Sequence, residues 1–166
     1  MDTFTLVHVL ISIAGIITGF VVLYGMIAGQ RMDNWTVLFL ATTIATSATG
    51  FGFRFEKLLP SHIVGFISLI ILGIAVYARY GRSLVGGWRN TYVITATMAL
   101  YFNVFVGVVQ AFRRVPALKA SAPTQTEPPF VIAQVAVLVT FIVVGFLAVA
   151  RFARVATTGP VRSPEC

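Results

Sequence analysis

Charge is scarce in this sequence. Of 166 residues, 10% are Asp, Glu, Lys or Arg, and five are acidic. An ordinary soluble domain carries about 25% charged residues, so a water-facing globular surface is excluded. Cysteine is scarcer still. Cys166 is the single one, which rules out an intrachain disulfide, a CxxC redox pair and a CxxCH haem attachment. Histidine occurs twice, as His8 and His62. No HExxH, GxSxG, P-loop or dinucleotide glycine fingerprint is present, so an enzyme is not the expectation.

Apolar residues take the space that charge leaves. They make up 58% of the chain, and the mean hydropathy is +0.92. The apolar runs fall at about 4–28, 35–53, 62–79, 90–111 and 130–152, each near the roughly 20 residues that cross hydrocarbon as a helix. The fold class expected is therefore all-α, a polytopic membrane bundle of five transmembrane helices. "GQRMDN", "RFEKLLPS" and "RYGRSLVGGWR" break the first four runs apart. The fourth break, a Pro-rich loop at 112–129, carries Pro116, Pro123, Pro128 and Pro129 and cannot continue as regular helix. Residues 1–153 read as one bundle domain and 154–166 as a short polar tail. "MDTFTLVHVL" has no basic stretch before its apolar run, so it reads as a retained first span rather than a signal peptide.

The net charge is +7, yet the basic residues lie at segment ends instead of forming a patch for nucleic acid. Anionic lipid headgroups are the simpler partner. Five crossings put Arg31, Arg79, Arg82, Arg89, Arg151, Arg154 and Arg162 on the C-terminal side. The N-terminal side holds Arg54, Lys57, Arg113, Arg114 and Lys119. The excess favours an external N-terminus and a cytoplasmic C-terminus. Tyr24, Trp35, Tyr77, Tyr80 and Trp88 gather on the C-terminal side as an aromatic belt.

Small and polar residues mark packed faces in lipid, where hydrophobic drive between helices is weak. His8, Ser12, Gly15 and Gly19 share one face of the first span, with close packing the leading reading for the two glycines. His62, Gly65, Leu69 and Gly73 share a face of the third, and a threonine stripe runs along the second. In the fourth span Tyr92, Ala99, Asn103 and Gln110 repeat at seven, four and seven. Asn103 falls near mid-membrane, where an unpaired amide is costly, so it must face the bundle or a wet cavity.

Odd-numbered spans run the same way, so His8 and His62 begin their helices at one side of the membrane. Gln110, Gln134 and the loop with Lys119, Gln125 and Glu127 reach that side too. Ser61 is placed as an N-cap, setting His62 at the positive end of a helix dipole, which favours the neutral imidazole a metal needs. The ligand-binding set expected is thus His8, His62, Asn103, Gln110, Gln134 and Glu127. His8 and His62 are its candidate metal ligands, for a b-type haem or a copper ion. A quinone-like molecule or a lipid would fill the same pocket, as would the protein's own loop.

"LPSHIVGF", "LYFNVFVGVVQAF" and "VPALKASAPTQTEPPF" resemble segments of a family of small, functionally uncharacterised bacterial multi-spanning membrane proteins. The likeness covers nearly the whole chain and implies a bacterial inner-membrane location; it carries over no activity, substrate or catalytic residue. A ligand-binding or accessory membrane protein is the function expected. An oligomeric channel or transporter for a neutral solute, lined by Asn103 and the threonines, is one alternative. A structural or assembly subunit, whether in a homo-oligomer or a larger membrane complex, is the other.

Overall fold

A computed structural model describes residues 3–52 and 60–152, with the backbone alone for 60–62. They form six α-helices: α1 (Thr3–Ile27), α2 (Asp33–Gly50), α3 (Pro60–Val76), α4 (Trp88–Arg114), α5 (Pro116–Ser121) and α6 (Pro128–Phe152). A π turn, Tyr77–Gly81, extends α3, and no strand occurs among the described residues. The expected all-helical class therefore holds. Four helices are long and apolar enough to cross a membrane: α1, α3 with its π turn, α4 and α6. The expected count was five. α2 falls short because Asp33, Asn34 and its threonines dilute an 18-residue helix.

Local chemistry sets most of the ends. α1 stops in a Schellman motif, with Gln30 N–H reaching Gly25 O at 2.7 Å and Gly29 N–H reaching Met26 O at 3.2 Å. Gly29 takes φ +71° there, a left-handed value cheap for glycine. α4 runs three residues past the expected 111 and ends where Val115, extended at ψ 119°, precedes Pro116. Pro116 then opens α5, and Pro128 opens α6, since proline suits the first helical position. So the Pro-rich loop contains a short helix. α3 begins at Pro60, which puts the backbone of Ser61 within the helix; its expected capping side chain lies outside the described residues.

α1, α2, α3, α4 and α6 pack in a ring, and α4 also touches α1 and α2 across it. Successive long helices run antiparallel. His8 in α1 meets Thr49 near the end of α2, and Asp33 at the start of α2 meets Arg79 after α3. The core lies between small residues that let backbones approach: Ala75, Ala96, Ala99 and Ala148 are buried beside Phe39, Leu72, Tyr92 and Leu100. Gly15 and Gly19 pack as expected. A Cβ on Gly19 would come within 2.5 Å of Leu100 Cδ1 and 2.8 Å of Phe39 Cε2.

The inward face of α3 differs from expectation. Ser68, Ile71, Leu72, Ala75 and Ala78 are buried, whereas Gly73 faces open space. Ser68 is drawn inward by a 3.3 Å bond from Ser47 on α2, and the alanines follow it at helical spacing. Of the two glycines on the neighbouring face, Gly65 lies against Phe51 and the end of α2, and Gly73 marks no contact.

Candidate functional site

At the rim where α1 begins, His8 is half-buried and its Nδ1 lies 2.8 Å from Thr49 Oγ1. Thr49 Oγ1 donates to Ala45 O at 2.6 Å, so the histidine Nδ1–H must be the donor between them. Ser12 Oγ donates back to His8 O at 2.7 Å. The side chain of His62 lies outside the described residues, as do Arg54, Glu56 and Lys57. Whether the two imidazoles converge is thus outside them too.

Half a helix deeper, three helices meet at a polar node. Asn103 Nδ2 on α4 donates to Thr43 Oγ1 on α2 at 3.2 Å. Gly15 of α1 makes the room, since a Cβ there would sit 3.3 Å from Asn103 Nδ2 and 3.4 Å from Thr43 Oγ1. The Asn103 amide therefore faces the bundle. Along its stripe, Tyr92 and Ala99 are buried, Asn103 is half-buried and Gln110 is exposed.

The remaining residues of the expected set bond close to where they stand. Gln134 Nε2 donates to Phe105 O at 3.2 Å, while its Oε1 is buried without a partner among the described residues. Gln125 Nε2 donates to Val109 O at 2.9 Å and ties the loop to α4. Glu127 Oε1 accepts from Thr124 Oγ1 at 2.8 Å and from Thr124 N–H at 3.1 Å. Its Oε2 accepts from Thr126 N–H at 3.0 Å. Desolvation, the largest single influence, pushes the Glu127 carboxyl up, but these bonds together outweigh it and hold the group below its ordinary value. Asn103, Gln110, Gln134 and Glu127 thus do not meet at one point. No group of three or more His, Cys, Asp or Glu side chains assembles among the described residues.

The opposite rim holds a cluster that residue patterns did not bring out. Arg79, in the π turn, is 5% exposed. Its Nη2 donates to Asp33 Oδ1, and Arg31 Nε lies 3.9 Å from the same oxygen. The guanidinium carbon sits 5.1 Å from the Tyr92 ring centre and 5.8 Å from that of Tyr80. Tyr92 Oη in turn reaches Thr36 Oγ1 at 3.4 Å. Beside this cluster is a cavity of about 10 Å³ bounded by Gln30, Thr36 and Phe152, room for about one water. Arg79 was expected among the basic residues at segment ends, and the structure turns it inward there. The signal was available: Arg79 stands seven residues after Leu72 and four after Ala75, on the buried stripe of α3.

Comparison of the chain with protein-family models, curated proteins and solved structures gave no match.

Proposed function

We propose that this is a five-span integral protein of the bacterial inner membrane, and that it serves as an accessory subunit in the assembly of a larger membrane complex. The fifth crossing is α2. It lies along α1, with Asp33 beside Arg79 at one rim and Thr49 beside His8 at the other. Its 18 residues extend about 27 Å, close to the hydrocarbon thickness of about 30 Å. Its hydroxyls turn back to their own helix, Thr42 to Leu38 O at 2.6 Å and Thr49 to Ala45 O at 2.6 Å. That lowers the cost of placing them in lipid. The distribution of Lys and Arg supports an external N-terminus and a cytoplasmic C-terminus.

The observation that carries the accessory role is the direction in which the polar side chains bond. His8, Asn103 and Gln134 each bond to a neighbouring helix of the same chain, and Glu127 to its own loop. Side chains engaged in this way fasten helices to one another. Mild-detergent extracts of native membranes test the role: the chain is expected to migrate as an assembly heavier than itself in a micelle. Migration as a monomer would remove the assembly role. Solute flux in proteoliposomes that Asn103→Leu abolishes would replace it with transport.

A second reading, a cofactor held through His8 and His62, is favoured by the tautomer of His8. Donation from Nδ1–H places the lone pair of the neutral ring on Nε2, the atom a haem iron or copper ion would take. Protein expressed with haem and copper supplied tests it. A Soret band lost in His8→Ala or His62→Ala supports the reading; colourless, metal-free protein removes it.

A further inference from the structure

Two guanidinium groups converge on one carboxylate oxygen, Asp33 Oδ1. The partners are unequal. Arg79 is fixed, its side chain 4% exposed and flanked by the Tyr92 and Tyr80 rings. Asp33 and Arg31 stand at the surface, with side chains 68% and 59% exposed. Here the cation is built in and the anion is the accessible member. Two positive charges also meet one negative, and Asp33 is the only acidic side chain described at this rim, against Arg31, Arg79, Arg82, Arg89 and Arg151.

The surroundings point to the headgroup layer. Tyr24, Trp35, Tyr77 and Tyr80 are exposed around the cluster, the position of an interfacial aromatic belt. Guanidinium groups match phosphate oxygens through paired N–H donors better than any other side chain. The cavity beside Arg79 admits about one water, too little for a phosphate, so an anion would reach the guanidinium by displacing the exposed Asp33 carboxylate.

We infer that Arg31 and Arg79 form an oxyanion site for the phosphate of an anionic phospholipid headgroup, in which the Asp33 carboxylate is an exchangeable internal occupant. The inference rests on the membrane-spanning reading above. When a phosphatidylglycerol phosphate arrives, Asp33 swings outward and the phosphate takes its place between the two arginines. Without that lipid, the carboxylate keeps the buried cation paired.

The test uses full-length protein in detergent micelles titrated with phosphatidylglycerol, phosphatidylcholine or inorganic phosphate, reading bound lipid by native mass spectrometry and melting temperature in parallel. Saturable binding and a rise in melting temperature are expected with phosphatidylglycerol alone. Arg31→Gln, at an exposed position, is expected to weaken binding about fivefold, the worth of one cation at an anionic surface. Asp33→Asn is expected to tighten it by about the same factor by removing the competing charge. Lys119→Gln, on the opposite rim, leaves it unchanged. Weaker or unaltered binding in Asp33→Asn would overturn the inference by making Asp33 a fixed structural partner. An equal response to inorganic phosphate overturns the lipid source. Equal losses in Arg31→Gln and Lys119→Gln make the attraction diffuse and overturn the site. Release of the protein from membranes by alkaline carbonate would instead remove the spanning reading itself, a separate failure.

Discussion

At one rim of the bundle Arg79 is buried between α2 and α4, paired with Asp33 and stacked on Tyr92. At the other, His8 Nδ1 bonds to Thr49, and the segment after α4 folds back through Gln125 and Glu127. Among the described residues, the first rim is organised around a buried charge and the second around half-buried polar groups and the Glu127 carboxylate. A charge at the edge of a low-dielectric layer needs its partner in place, whereas a hydroxyl or imidazole can find a backbone carbonyl nearby. The arginine rim should therefore be the less tolerant of change.

Six substitutions and one change of pH would break or sharpen that contrast. The largest effect is expected for Arg79→Ala, a loss of about 2–4 kcal/mol in a reversible unfolding assay from the ion pair, two ring contacts and packing. Asp33→Ala leaves the Arg79 cation without its counterion and should cost about 1–3 kcal/mol, less than Arg79→Ala because the ring contacts and packing stay in place. Equal costs would mean the pair, and not the buried cation, governs this rim. Next is Gly19→Val, expected to lose about 2 kcal/mol by overpacking Leu100 and Phe39. Gly73→Ala, which meets nothing, should stay within about 0.5 kcal/mol of the parent.

Smaller effects are expected for neutral polar contacts. Asn103→Leu and His8→Ala should each cost about 0.5–1.5 kcal/mol, the range of interhelical bonds in membranes. A loss for His8→Ala matching that of Arg79→Ala would erase the difference between the rims. The mildest perturbation is pH. The Glu127 carboxyl is held below its ordinary 4.5, so its contribution to loop order is complete above that value and fades as pH falls through the lowered one. Protection of the Thr124 and Thr126 amides, taken relative to the intrinsic exchange rate at each pH, should be greater at pH 6 than near pH 3. Equal protection at both would detach the loop from Glu127.

Much of this architecture can be read from residue order alone. Long apolar runs bounded by Arg, Gly and Pro locate α1, α3, α4 and α6 within a few residues, because spanning helices are dictated by length and breakers. The polar node was half visible: Asn103 had to turn inward, but its partner Thr43 depends on how α2 is rotated. The face of α3 was misread since glycine marks contact only when a neighbour is close, and Gly73 has none. Arg79 escaped notice because a charge near the end of an apolar run resembles an interfacial anchor. Its inward direction follows from the phase of Ser68, Leu72 and Ala75, which was settled by contacts with other helices.

The π turn at Tyr77–Gly81 has a consequence for how this chain tolerates length changes. Its Arg82 N–H reaches Tyr77 O at 2.9 Å, five residues back, so the turn holds one more residue than an α-helical one would. Deleting a residue between Val76 and Arg79 would shift Arg79 by about 100° around the helix axis. That would take the guanidinium off the buried stripe of Leu72 and Ala75, so deletions should be far less welcome there than in the segment between Ala122 and Glu127.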